Sequence, residues 1–150
     1  MRLGMVRNAR ISGAFHHHRD PAYPGDIQRR ILDEDLHITW EWCYRRGGEW
    51  HRQAVTLPSG APWDMRARPD VSAWLLPERD AFCPITAVYD ILSKAPPVLV
   101  DGKPMSQDHI DSLFFSLMLH SCDECDGPAR CKLRLFAAQL LYKVTRSIIG

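Results

Sequence analysis

The clearest pattern in the chain is an alternation of apolar and polar residues around position 40. Trp40, Trp42 and Tyr44 share one phase with Ile38, and polar residues fill most of the other phase. A period of two is typical of a strand with one buried face. Arg-Gly-Gly at 46–48 favours a turn, and residues 50–57 then return as a second strand. Because a lone hairpin is marginal in water, we expect this aromatic hairpin to pack on the rest of the chain.

The pattern is weaker on either side of the hairpin strands. Residues 1–23 carry four arginines and two glycines, and they are predicted to form an extended basic arm. Residues 24–70 make up the hairpin region. Within it, apolar residues recur at helical spacing between 26 and 36 after an acid, which predicts a short helix. Residues 58–70 contain three prolines and are expected to be a loop.

The pattern changes to helical spacing in residues 71–150. Pro84 suits the first turn of a helix that runs to about Lys94. Ser106 is a good N-cap for a second helix that reaches about His120. Apolar residues at 133, 136, 140, 144 and 148 form one stripe of a last helix over about 129–148.

These elements predict a single α+β domain. Its N-terminal arm and aromatic β-hairpin pack on a C-terminal helical half, and a metal-stapled turn joins the last two helices. A chain of 150 residues is long enough to bury such a core without disulfides.

Net charge and cysteine usage indicate which binding partners and which cellular compartment to expect. The formal net charge is +1, so binding to nucleic acid or to an anionic membrane would need a local basic patch. Arginines interrupt the N-terminus at once, which disfavours a signal peptide, and no apolar run approaches the length of a membrane span. The five cysteines are clustered rather than spread, so a reducing, cytoplasmic setting is expected.

The cysteine cluster is the strongest chemical signal. Cys122, Cys125 and Cys131 have the spacing Cys-x2-Cys-x5-Cys, and His120 stands two residues before the first of them. Structural zinc prefers four Cys or His ligands in a tetrahedron, and Cys-x2-Cys binds one ion from a tight turn. We therefore predict a zinc site formed by these four residues, which would fix the crossing of the last two helices.

Other readings of the cluster stay open. Cys83 or Cys43 could replace His120 as the fourth ligand. The spacing of Cys122, Cys125 and Cys131 before a helix also resembles the cluster-binding segment of the WhiB-like iron–sulfur regulators, which implies an iron–sulfur cluster. We take this as shared spacing, because the glycine-rich tryptophan turn that follows the helix in that family is absent. Thiol redox chemistry at Cys122 and Cys125 is the third reading, although such motifs usually open a helix after a strand.

Two features predict a macromolecular partner. The last predicted helix carries basic residues and no acid between 127 and 150, which suits contact with phosphates. Trp40 and Trp42 suit a protein interface, and helices that are apolar on two sides also fit packing against a second copy of the chain. The predicted partner-binding residues are Arg130, Arg134, Lys143, Arg146, Trp40 and Trp42.

The sequence therefore favours a small binding or regulatory protein with a structural zinc site and a protein partner. A nucleic-acid-binding regulator that uses the basic arm and the basic helix is the alternative, and a metal or redox protein is a third. No nucleophile elbow, phosphate-binding glycine loop or paired-histidine zinc motif is present, so an enzyme reading has no anchor. The run His16-His17-His18 is expected to be solvated or to contact a partner.

Overall fold

A computed structural model describes residues 5–43, 48–67 and 83–123. Within these residues the chain has two three-stranded antiparallel sheets and two helices, which confirms the α+β class. The strands are β1 (Met5–Ser12), β2 (His17–Arg19), β3 (Arg29–Leu32), β4 (Leu36–Cys43), β5 (His51–Leu57) and β6 (Pro62–Asp64), and the helices are α1 (Cys83–Lys94) and α2 (Gln107–Asp123).

The first sheet, called sheet A, has the strand order β1-β4-β5. Strands β4 and β5 form the predicted hairpin, with Leu36 opposite Leu57 and Trp42 opposite His51. Along β4 the apolar residues of one phase are buried, as the alternation predicts. The predicted arm is extended over residues 5–12, and there it is a strand of the sheet: it pairs with β4 from Met5 opposite Cys43 to Ser12 opposite His37. A strand between two neighbours has all its ladder hydrogen bonds filled, so β4 is the centre of the sheet.

The second sheet, called sheet B, has the order β2-β3-β6. The helix predicted over 26–36 is wrong, because this stretch is a turn followed by β3. Asp26 accepts a hydrogen bond at Oδ1 from the backbone N–H of Gln28 at 3.0 Å, and this Asx turn competes with a helix. The loop predicted over 58–70 contains β6, which pairs with β3 through its residues Pro62–Asp64.

Both described helices are where the apolar spacing places them. The Oγ of Ser106 accepts a hydrogen bond from the backbone N–H of His109 at 3.2 Å, which confirms the N-cap. Helix α2 packs on β1 and on α1, while α1 packs on β6. Neither helix in the described ranges is long and apolar enough to cross a membrane. The last predicted helix, at 129–148, lies outside the described residues.

His109, in the first turn of α2, joins this helix to the buried side of sheet A. Trp40 Nε1 donates a hydrogen bond to His109 Nε2 at 3.0 Å, and the ring of Trp42 lies 5.1 Å from the same imidazole. Trp40 and Trp42 are each 1% exposed and His109 is 4% exposed. Burial lowers the pKa of His109 from 6.5 to about 4, against a smaller opposing effect of Asp101. The neutral imidazole is therefore the acceptor that satisfies the buried indole N–H.

A polar seam joins the two helices. Gln107 Nε2 donates to Asp111 Oδ1 at 3.1 Å and to the hydroxyl of Tyr89 at 3.2 Å. Burial raises the pKa of the Asp111 carboxyl, and the hydrogen bonds from Gln107 and Tyr89 offset part of that rise. The charged form of this carboxyl is thus less favourable in the folded protein than in the unfolded chain.

The buried imidazole predicts a loss of stability in acid. The unfolded chain binds a proton on His109 near pH 6.5 and the folded protein near pH 4, so stability from this group is full above 6.5 and falls as the pH drops toward 4. The loss amounts to about 3 kcal/mol. His109→Gln keeps an acceptor for Trp40 and should flatten this part of the pH dependence. Urea unfolding followed by tryptophan fluorescence at pH 7.5 and 4.5 measures it.

The matched control for that experiment is His37→Gln, which makes the same chemical change on an exposed histidine. If both variants have the same dependence on pH, the His109 contact does not set the acid limit of the fold.

A second prediction concerns Asp111. Its pKa is raised in the folded protein, so this group favours folding below the unfolded pKa of the carboxyl and that contribution is lost as the pH rises through the folded pKa. Asp111→Asn should therefore raise the melting temperature at pH 7 and give a smaller gain at pH 3.5. A lower melting temperature at pH 7 would show that the charged carboxylate stabilises the helix pair.

Candidate functional site

The exposed side of sheet A, opposite α2, is the best candidate site, and we call it the outer face. Opposed residues in an antiparallel sheet share a face, so the strand register defines its composition. One row runs Arg7, Glu41, Arg52 across the three strands, and the next runs Arg10, Thr39, Ala54. The outer face consists of Arg7, Arg10, Ser12, His37, Thr39, Glu41, Arg52, Ala54 and Thr56, together with Asn8 at a bulge in β1.

The bulge lies between the two rows. Two residues of β1, Asn8 and Ala9, lie between Arg7 and Arg10, whereas one residue of β4 lies between their partners Glu41 and Thr39. Asn8 takes up the extra length with a left-handed backbone, φ 54°, a conformation that asparagine tolerates better than most residues. Bulges of this kind redirect side chains. Here the bulge brings Asn8 Nδ2 to within 2.6 Å of Glu41 Oε2, to which it donates a hydrogen bond.

Glu41 is the central acid of the outer face. Hydrogen bonds from Asn8 and then from Arg7 hold the pKa of its carboxyl below the usual range. Arg7 Nε donates to Oε2 at 3.0 Å, and the Arg7 guanidinium carbon lies 3.8 Å from the centre of the Trp50 ring. The arginine is thus held flat by an acid and an aromatic ring, and the carboxylate stays ionised at neutral pH.

A cavity of about 250 Å³ opens beside Glu41. Arg10 borders it from β1 and Arg52 from β5, which are separated by β4. Since strands lie about 4.8 Å apart, the two backbones are roughly 10 Å apart, and both long side chains can reach one group between them. The residues that line the cavity are Asn8, Arg10, Thr39, Trp40, Glu41 and Arg52.

The charges of the lining and its rim favour an anionic ligand. Arg7, Arg10 and Arg52 are exposed, and Glu41 is the acid among them. Guanidinium groups form charge-assisted, often bidentate hydrogen bonds to phosphate and carboxylate oxygens. The same surface offers the Thr39 hydroxyl and the Asn8 amide as further polar groups. The arrangement therefore suits a ligand that carries negative charge and also a hydrogen-bond donor for Glu41.

The predicted role of Trp40 and Trp42 at a protein interface is corrected by their position. Both rings lie on the inner side of sheet A, where they are 1% exposed. Trp40 gives its N–H to His109. Period-two alternation identified the right face of the strand but not what covers it, and helix α2 covers it.

The histidine run at 16–18 lies at the edge of sheet B. His18 Nδ1 contacts Asp33 Oδ1, and His16 Nδ1 lies 3.7 Å from Glu34 Oε2. His17 lies on the other side of β2, where it accepts a hydrogen bond at Nδ1 from Arg30 Nε at 2.9 Å. Burial, followed by the charge of Arg30, lowers the pKa of His17. These contacts hold the ends of β2 and β3 together.

Of the four predicted metal ligands, two lie at the end of α2 and two lie outside the described residues. His120 and Cys122 lie in the last turn of α2, while Cys125 and Cys131 lie outside the described residues. Cys43, the alternative ligand on β4, is buried and forms no disulfide, and Cys83 begins α1. In the ranges that the structure describes, no group of three or more His, Cys, Asp or Glu side chains is placed to hold a metal ion.

The predicted basic surface divides into two parts. Arg130, Arg134, Lys143 and Arg146 lie outside the described residues, so their role stays a prediction. From the predicted basic arm, Arg7 and Arg10 lie on the outer face.

Sequence reasoning missed four residues that line the cavity of the outer face, Asn8, Thr39, Glu41 and Arg52. Two of them could have been found from the alternation of the sequence. Thr39 and Glu41 alternate with Trp40 and Trp42, so they must point away from the core. The pairing of β1 and β5 with β4 then brings the other two alongside.

Comparison of the whole chain with protein-family models, with curated proteins and with solved structures found no match. The assignment of the outer face as a candidate site therefore depends on the geometry of the described residues.

Proposed function

We propose that this protein binds nucleic acid through the phosphate backbone, using the outer face of sheet A. The observation that supports this most directly is the convergence of Arg7, Arg10 and Arg52 from two strands of one exposed sheet face. Phosphate contacts by arginine supply most of the affinity of sequence-independent binding to nucleic acid.

The local charge supports the proposal although the whole chain is nearly neutral. The formal net charge of the chain is +1, while the outer face sets three arginines against the single carboxylate of Glu41 in the described residues. A basic patch on a neutral protein gives a local positive potential without general attraction to every polyanion. Binding should therefore depend on this face and decrease as salt rises.

A protein partner, which the sequence favours, has weaker support. Part of that expectation depends on Trp40 and Trp42, and both lie in the core. We therefore put nucleic acid first. The third expectation, a redox protein, depends on the cysteine cluster alone.

The test is the affinity for a fluorescein-labelled single-stranded 20-mer, measured by fluorescence anisotropy between 50 and 200 mM NaCl. Arg10→Gln with Arg52→Gln removes two phosphate contacts. It should weaken binding at least about tenfold and make the slope of log K against log salt shallower by about 1.4, since each single-strand contact adds about 0.7.

The matched control is Arg19→Gln with Lys103→Gln, which removes the same charge from exposed positions away from the outer face. It should keep nearly the parent affinity and slope. Equal losses in the two double variants would show that the outer face is not the binding surface.

We also propose a structural zinc site at Cys122, Cys125, Cys131 and His120, supported by the ligand spacing. Elemental analysis of protein purified without added metal should give one zinc per chain, and Cys125→Ser should lose the metal and lower the melting temperature. A brown protein that contains iron would favour the iron–sulfur alternative. Metal-free protein with an unchanged melting temperature in the variant would contradict both.

A further inference from the structure

We propose that the nucleic acid bound on the outer face is single-stranded, with one nucleotide seated in the cavity beside Glu41. This inference rests on the proposed function, and it adds the strandedness of the ligand and the role of the acid. Three features of the described residues lead to it: the concave shape of the surface, the ionised carboxylate beside the arginines, and the flat Arg7 guanidinium.

The shape argues against a duplex. Proteins read duplex DNA with a helix or ribbon that enters a groove, whereas the outer face presents a cavity of about 250 Å³ in a sheet surface. Bases locked in a duplex cannot enter a cavity, but an unpaired nucleotide can turn out of its strand. A duplex would still meet the arginines through its phosphates. A single strand can therefore contact both the arginines and the cavity, whereas a duplex can contact the arginines alone.

The Glu41 carboxylate gives a chemical reason for a single strand to bind more tightly than a duplex. Glu41 lies between Arg7 and Arg52 across the strands and borders the same cavity as Arg10. Its ionised form repels a ligand that offers only negative charge, so an attractive contact needs a hydrogen-bond donor on the ligand. Oε2 accepts the bonds from Arg7 and Asn8, and Oε1 takes no part in either. The N–H groups of an unpaired base can donate to this carboxylate, whereas in a duplex the pairing edge is already occupied.

Arg7 supplies a stacking surface at the rim. Its guanidinium lies against the Trp50 ring at 3.8 Å, and its side chain is half exposed. Unpaired bases stack on arginine planes as well as on aromatic rings. The next base of a strand whose nucleotide occupies the cavity can therefore stack at the Arg7 position.

The experiment compares a labelled single-stranded 12-mer, the duplex of the same sequence and inorganic polyphosphate, at one salt concentration. The single strand should bind at least about tenfold more tightly than the duplex. Thr39→Tyr fills the cavity and leaves every arginine in place. It should reduce single-strand affinity about fivefold or more, to near the duplex value, with little effect on the duplex.

The matched control is Ala95→Tyr, which adds the same side chain at an exposed position just after α1, outside the outer face. It should leave the preference for the single strand unchanged. Glu41→Gln removes the repulsive charge, so it should raise the affinity for polyphosphate more than the affinity for the oligonucleotide. Far-UV circular dichroism checks that each variant is folded.

The outcomes separate the two proposals. If the single strand and the duplex bind equally to the parent protein, or if the two tyrosine variants behave alike, the strandedness inference is wrong even when the Arg10 and Arg52 variant weakens binding to both. If no nucleic acid binds in a way that depends on those arginines, the proposed function itself fails.

Discussion

The packing of helix α2 against one side of sheet A is the constraint on which the rest of the molecule depends. Within that contact, the Trp40 indole donates a buried hydrogen bond to the neutral imidazole of His109. Breaking it would leave a buried polar group without a partner, which costs more than the bond itself contributes. The contact therefore fixes both the position of the helix and the uncharged state of the histidine.

The composition of the outer face follows from this contact. Since successive side chains of a strand point to opposite faces, burying Trp40 and Trp42 turns Thr39 and Glu41 toward water. The neighbouring strands then bring arginines to both sides of them. The bulge at Asn8 adds an irregularity to β1, and the Asn8 amide donates a hydrogen bond that holds the Glu41 carboxylate in place. A core contact on one side thus positions a charged surface on the other.

Sequence patterns found the elements that are local and missed those that are not. The hairpin of β4 and β5 and the two described helices have their signals within a dozen or so residues: alternation, an N-cap at Ser106 and apolar stripes. The pairing of β1 with β4 joins residues about 30 positions apart and has no local signal. The sequence therefore predicts only an extended arm where the structure has a paired strand. Residues 26–36 carry helical spacing, but pairing on both sides of β3 overrides it.

The candidate site was predictable only in part, for the same reason. Arg7 and Arg10 attract attention as basic residues, yet their partner Arg52 lies on a different strand and becomes their neighbour only through β4. Composition predicts an interface at Trp40 and Trp42, because it does not distinguish a core face from a binding face. The cysteine cluster is a local signal, and its test is chemical.

The most direct test of the account is an NMR titration of isotope-labelled protein with an unlabelled single-stranded 12-mer. The largest shifts should fall on the side-chain Nε–H signals of Arg7, Arg10 and Arg52 and on the Thr39 amide, while the His109 ring signals stay in place. Shifts confined to other parts of the chain, with the outer face unchanged, would contradict it.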